Sequence, residues 1–403
     1  MNEFMTDIRD TFYELTNQDI PLAIIKTIEA CWPDGKRPLL HKKKKHSQGW
    51  DFTFALPPGL SFREFCKFEE HFRDSVGDVT TEIIHNGKMA VLKVITDKIK
   101  SKYIYDFASD IDVGNKILPI PVGYDHNGLI VVDLAEVYNI IIAGFIGGGK
   151  SNSIHVITNS LIHLPKPPKV TIIDFKLVEY NYLSNYVFLV TDQDTARQTM
   201  SRLVVEMRNR LQILKQAECV NIDKFNNQGG NMDYIVLIID ELAELQDEVA
   251  QDCLETILRL GRAPGFRVIL ATQRPDSKIF GKKSFGACKA NLVGKLCFQV
   301  SSAINSRIIL DSDEAAHLPN IAGRAIWKYG KTVEVQTPYL DIDRAKEMLR
   351  VEQSAEGRRE RFSNCKTPDR VGSDGYRTIA NNAISFISRG AEKIKQIGSR
   401  QKN

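Results

Sequence analysis

The chain has 403 residues, 43% of them hydrophobic, and a formal charge of +4. That length suits two or three domains with at least one sizeable core, and so mild a charge neither demands nor excludes a nucleic-acid partner. Seven scattered cysteines without CxxC spacing argue against zinc or dithiol chemistry and suit reduced thiols in a cytosolic protein. The start, MNEFMTDIRD, lacks the basic and apolar regions of a signal peptide, and no run approaches the ~20 apolar residues that cross a bilayer.

Residues 1–48 read as a helical and basic segment. Ile20, Leu22, Ala23, Ile24, Ile25 and Ile28 predict a helix, which Cys31-Trp32-Pro33-Asp34-Gly35 ends with turn chemistry. Lys36-Arg37 and the run His41 to His46, with Lys42–Lys45 inside it, are expected to be a solvated loop, with a phosphate-contacting arm as the functional alternative.

Residues 49–118 read as a small α/β module. Trp50, Phe52, Phe54 and Leu56 alternate as in a strand. Ser61 can cap a helix whose Phe62, Phe65, Phe68 and Phe72 form a core-facing stripe. His85-Asn86-Gly87 predicts a hairpin turn between strands near Thr81–Ile84 and Met89–Val94.

Residues 119–345 change in texture. Apolar runs at Leu129–Val132, Asn139–Ala143, Val170–Ile173, Tyr234–Ile239 and Phe266–Leu270 alternate with helical stretches. Strands apolar along their whole length predict a mostly parallel sheet covered on both faces. Residues 346–403 read as a basic tail: from 351 onward there are eleven Lys/Arg against six Asp/Glu. Ser354 to Asp374 is expected to be a linker, and Ile379, Ala383, Phe386, Ile387, Ala391 and Ile394 to mark a short amphipathic helix docked back on the chain.

One segment carries chemistry outright. Gly144-Phe145-Ile146-Gly147-Gly148-Gly149-Lys150-Ser151 fits G-x-x-x-x-G-K-[ST] in full, with an apolar strand before it and a helix-forming run after it. This is the pattern of a P-loop NTPase. Glycines let the backbone N–H groups turn toward phosphates, and the helix N-terminus adds positive potential. Lys150 is expected to neutralise the β and γ phosphates and Ser151 to ligate Mg²⁺; Asn152 is counted with the loop. A second segment agrees: the strand Tyr234–Ile239 ends in Asp240-Glu241. Asp240 is assigned to Mg²⁺ and Glu241 to polarising the attacking water. Beyond the strand at 266–270 stands Ala271-Thr272-Gln273-Arg274-Pro275, where Gln273 is the candidate γ-phosphate sensor. On local sequence alone a plain loop turning at Pro275 fits equally well.

From Gly123 to about Leu340 the chain resembles the FtsK/SpoIIIE family of DNA-translocating ATPases. Three segments beyond the P-loop and the Asp240-Glu241 strand carry the likeness: Val131–Ala135; Ile173-Asp174-Phe175-Lys176-Leu177-Val178-Glu179, similar to the family's I-D-P-K-x-x-E with Phe175 for Pro; and Ala271–Pro275 followed by Lys289-Ala290-Asn291, Val300–Ser302 and Ser306–Asp311. The resemblance implies a RecA-like motor acting as a ring, a hexamer, around double-stranded DNA, with ATP and Mg²⁺ bound between neighbours. It places the inter-subunit arginine on Arg262 and makes Arg307 a second nucleotide-sensing candidate. Leu56-Pro57-Pro58-Gly59-Leu60-Ser61-Phe62 resembles segments of FtsK-like proteins from conjugative and integrative elements.

Neither the multispanning anchor nor the winged-helix module of the cell-division translocases is seen. The expectation is therefore a transfer ATPase of a mobile element, cytoplasmic and recruited to the inner face of the membrane by a relaxase and transfer apparatus. Alternatives are a protein-moving motor of the secretion type, a chromosome-segregation translocase without its anchor, and an assembly module. Lys278, Lys282, Lys283, Lys289 and Lys224 are candidate DNA contacts, with solvated loops as the plainer reading.

Overall fold

The computed structural model describes residues 20–33, 36–46, 48–77, 79–96, 99–107, 111, 114–273 and 289–354, the last four by backbone alone. The described residues fall into two compact units, divided between Ile99 and Lys100.

In the first unit residues 20–31 form helix α1. Strands β1 (Leu39–His46), β2 (Gly49–Ala55), β3 (Thr80–Asn86) and β4 (Met89–Ile95) make an antiparallel sheet in the order β1-β2-β4-β3. Phe52, Phe54, Leu92 and Val94 share its inner face and pack against Ile24 and Ile28 of α1. The Ser61 cap is present as a full capping box with Glu64, at the head of α2 (Phe62–Cys66). The phenylalanine stripe does not lie on one helix: the chain restarts at Phe68, which sits 4.3 Å from the Trp32 ring, and continues as α3 (Glu69–Val76).

The basic run expected as a loop is a strand. Residues Leu39 to Lys45 of β1 are all exposed, and all but His41, which lies at a register shift, pair with β2 in antiparallel register. An edge strand projecting past the core can be polar on both faces, so the alternation that betrays most strands is missing.

The second unit holds a ten-stranded sheet ordered β6-β5-β14-β13-β12-β7-β11-β10-β8-β9. Its strands are β5 (Pro119–Asp125), β6 (Gly128–Asp133), β7 (Asn139–Ala143), β8 (Lys169–Ile173), β9 (Phe188–Val190), β10 (Ile235–Ile239), β11 (Phe266–Thr272), β12 (Gly294–Phe298), β13 (Arg324–Tyr329) and β14 (Lys331–Gln336). From β12 to β9 every pairing is parallel; from β12 outward through β13, β14, β5 and β6 every pairing is antiparallel.

Burial explains the parallel part. Every residue of β7, β10 and β11 is buried. Ile140 and Ile142 join one apolar cluster, with Val236, Ile238, Ile269 and Ala271. Ile141 and Ala143 join the other, with Ile235, Leu237, Val268 and Leu270. Period-two alternation thus feeds two cores, one on each face, which requires apolar residues throughout. Helix α4 (Lys150–Ile162) contributes Ile154, Ile157 and Leu161 to the first cluster. Helices α5 (Gln193–Gln216), α6 (Ile222–Asn227), α7 (Glu248–Leu260), α8 (Ala303–Leu310) and α9 (Ile342–Ser354) complete the unit. Ser354, the expected start of the tail linker, ends α9; the rest of that linker and the tail helix, together with Lys278, Lys282 and Lys283, lie outside the described residues.

Candidate active site

Strand order builds the site. β11 lies between β7 and β10, so three strand ends stand side by side at one edge. These carry the P-loop after Ala143, the pair Thr272-Gln273 and the pair Asp240-Glu241. The carboxyl edge of parallel strands is where α/β sheets bind ligands.

The P-loop needs its glycines. Gly144 and Gly149 have φ of 146° and 121°, and a Cβ on Gly144 would stand 2.5 Å from the Phe298 Cβ. Neighbouring main chain braces the loop: Gly144 N–H donates to the Thr272 carbonyl (3.3 Å), Phe145 N–H to Gln299 (3.1 Å), and Gly323 N–H to the Gly148 carbonyl (2.8 Å). Beside the loop lies a cavity of about 520 Å³, lined by Phe145–Gly148, Gln299 and the 320–322 segment.

Lys150 opens α4 and is 6% exposed. Its Nζ donates to the carbonyls of Gly144 (2.6 Å) and Phe145 (2.7 Å). Burial pushes its pKa down to about 8 against the pull of the Glu241 and Asp240 carboxylates.

Both oxygens of Asp240 are engaged: Oδ1 accepts from the Tyr180 hydroxyl at 2.7 Å, and Oδ2 faces the Lys176 ammonium at 3.1 Å. Burial and the Asp240 charge hold the Tyr180 phenol well above its usual range. Burial opposes the Lys176 ammonium, but Asp240 outweighs it and keeps that pKa raised. Asp174 is 1% exposed; one oxygen accepts from Lys176 N–H, and burial lifts its pKa.

Glu241 is 8% exposed and held from two sides. Its Oε1 accepts from the Thr272 hydroxyl (3.0 Å) and its Oε2 from the Gln273 N–H (2.9 Å). Gln273 thus meets Glu241 through its backbone. Asn152 bridges to Leu340, its Nδ2 donating to that carbonyl at 2.8 Å.

The two arginines are placed differently. Arg307, on α8, follows β12 at the same sheet edge as the P-loop; it is 61% exposed and pairs with Asp313 at 2.8 Å. Arg262 precedes β11, at the opposite edge, with its guanidinium 4.7 Å from the centre of the Tyr138 ring. The seven residues of β11 separate it from Gln273 by about 20 Å. Two of the candidate DNA contacts are bonded locally: Lys289 to Asp311 at 2.8 Å and Lys224 to the Glu218 carbonyl at 3.2 Å.

Sequence reasoning missed Tyr180 and Thr272, which orient the two carboxylates. Tyr180 directly follows the 173–179 segment, the one signal that could have found it.

Residues 108–277 match the FtsK/SpoIIIE family. The chain carries an FtsK/SpoIIIE domain. It is 35% identical over 249 residues to the DNA translocase FtsK of Chlorobaculum tepidum, an overlap covering 56% of this chain and 30% of that protein. The chain therefore spans about a third of the curated relatives it matches. Among solved structures, the pCW3 conjugation coupling protein TcpA, in monomer form with ATPγS, aligns with a TM-score of 0.59 at 24% identity, covering 84% of this chain and 99% of that one. EssC (ATPases 2 and 3) from Geobacillus thermodenitrificans aligns at 0.52 and 18% identity, covering 64% and 52%. Both structures share the fold of this FtsK/SpoIIIE domain.

The residues fit a nucleoside triphosphate with its divalent ion. Gly144, Gly148 and Gly149 leave no room for side chains against Phe298, so the loop keeps its bare backbone, and Asp240 and Glu241 bring carboxylate oxygens to the same sheet edge. A hard cation here would be shared between protein oxygens and phosphate.

Proposed function

We propose that the FtsK/SpoIIIE domain hydrolyses ATP with Mg²⁺ and uses it to move double-stranded DNA as a ring, serving as the coupling ATPase of a conjugative or integrative element. The observation that carries this reading is the convergence, at one sheet edge, of the P-loop, the Tyr180-held Asp240 and a Glu241 fixed by Thr272 and Gln273.

Each residue then has a task. Lys150 leaves its own loop carbonyls for the β and γ phosphates. Ser151 and Asp240 would hold Mg²⁺, which when bound would supply positive charge to the phosphates. Glu241, its carboxylate fixed, takes the proton of the attacking water. Gln273, bonded to Glu241 through its N–H, reports the γ-phosphate with its side chain. Arg262 comes from the next copy, since its own site lies across the sheet, and Arg307 lines the shared interface. The relatives named DNA translocases support DNA as the substrate. The likeness to a conjugation coupling protein over most of both chains supports a transfer role. In that role a relaxase and membrane apparatus would recruit the protein to the inner face of the membrane; no described helix is long and apolar enough to cross a membrane.

The test is ATP turnover with and without duplex DNA across a salt titration. Strong stimulation that fades with salt is expected. Turnover indifferent to DNA at low salt overturns the reading, and stimulation by a peptide instead assigns a secretion-type motor.

A further inference from the structure

Strand β1 belongs to the first unit, whereas the candidate site residues all belong to the second. Lys42, Lys43, Lys44 and Lys45 follow one another along it, and all four are exposed. Lys43 stands opposite Phe52 and Lys45 opposite Trp50, on the core side of the sheet but outboard of the core. Lys42 stands opposite Thr53 and Lys44 opposite Asp51, on the other side. Ammonium groups therefore project from both faces of one sheet edge.

Little negative charge offsets them. Asp51 is bonded to His46 at 3.2 Å. None of the four lysines has an ion-pair partner among the described residues; the Lys45 ammonium lies 5.5 Å from the centre of the Trp50 ring. Lysines two apart on a strand share a face at a spacing of about 6.7 Å. Neighbouring phosphates of one DNA strand, displaced around the helix as well as by about 3.4 Å along its axis, lie at a comparable spacing. An inward-pointing charge or a single lysine suffices to keep a free edge from pairing with another chain. Four in a row, split between both faces, go beyond that need.

We propose that the β1 edge is a second contact for the phosphate backbone of duplex DNA, made by residues other than those of the ATPase site and indifferent to base sequence. The proposal rests on the DNA reading above. Phosphate contact is its chemistry because lysine is a point charge that neutralises phosphates, and nothing in the strand offers the planar donors that read base edges.

The experiment measures binding of the full chain to a short mixed-sequence duplex as salt is varied. Replacing all four lysines by Gln is expected to make the log K against log salt slope shallower by about 2 to 4, at ~0.9 for each phosphate no longer neutralised. The four Lys→Arg changes should keep the wild-type slope. The pairs Lys42→Gln/Lys44→Gln and Lys43→Gln/Lys45→Gln should each give about half that change and still report if the fourfold variant misfolds. ATP turnover without DNA should not change. Wild type that binds no duplex sinks the DNA reading itself. Wild type that binds, with variants of unchanged slope, overturns this proposal alone. Unchanged slope with self-association would assign the lysines to guarding the edge. Unchanged slope with weakened binding to phosphatidylserine vesicles would assign them to a membrane. Either outcome overturns the proposal as well.

Discussion

Lys150 answers two opposed demands. Its ammonium is buried, and burial holds its pKa near 8, well below the free-lysine value. Between that pKa and the unfolded one the unfolded chain binds more protons, so this group's contribution makes the fold more stable as pH rises from about 8. Below that pH the buried charge is a burden. Lys150→Met should therefore raise the Tm of the ligand-free protein by about 2–4 °C per kcal/mol relieved, while abolishing ATP binding; calorimetry with and without nucleotide reads both, and retained ATPase activity would sink the assignment. In the proposed function this charge meets the phosphates, and it is lost as pH climbs through about 8, so ATP affinity of the wild type should fall there. Glu241→Gln should keep ATP binding and cut turnover by about 10²–10⁴-fold, the usual worth of a general base. Tyr180→Phe removes the donor to Asp240, and titration of ATP binding against Mg²⁺ should show about tenfold weaker Mg²⁺ dependence, as for removal of one hydrogen bond to a charged group. Lys150, Asp240 and Glu241 were legible because motif spacing announces them. Tyr180 and Thr272 were not, because they act through contacts made across the chain.

At the scale of elements, the parallel strands were legible because two-sided burial writes itself as unbroken apolar runs. The antiparallel extension through β13, β14, β5 and β6 was not, since a strand's partner depends on the whole topology rather than on its own pattern. Nor was β1, whose outboard lysines carry no periodic signal. The P-loop shows how an element makes identical residues unequal. At Gly144 an added Cβ would strike Phe298, and φ is already 146°. At Gly147 φ is 80°, but nothing lies within 4 Å. Gly147→Ala should then cost only the left-handed strain of about 1–2 kcal/mol, and Gly144→Ala that strain plus an overpacking term of about 1–3 kcal/mol. Denaturant unfolding of the two variants checks the order; equal losses would mean Phe298 does not press on the loop.

The whole molecule poses the question of where Arg262 works. Within one copy it sits at the far end of β11, about 20 Å from Gln273, beside Tyr138. A cation so placed can reach a γ-phosphate only if copies pack head to tail, each presenting the start of its β11 to the next copy's P-loop. Only the family resemblance points to this; the residues around Arg262 do not, because the P-loop and the arginine occupy one chain and the site would need two. Mixing separates the possibilities. Lys150→Met copies cannot bind ATP but keep the arginine; Arg262→Ala copies keep the ATP site but lack the arginine. Each alone should be inactive. In an equal mixture about one head-to-tail interface in four joins an intact site to an intact arginine, so activity should return to about that fraction of wild type where sites fire independently. Recovery of that kind cannot come from an arginine serving its own copy. A mixture as silent as its parts, with the two proteins shown to co-assemble, would place the role of Arg262 within its own subunit, at the Tyr138 contact.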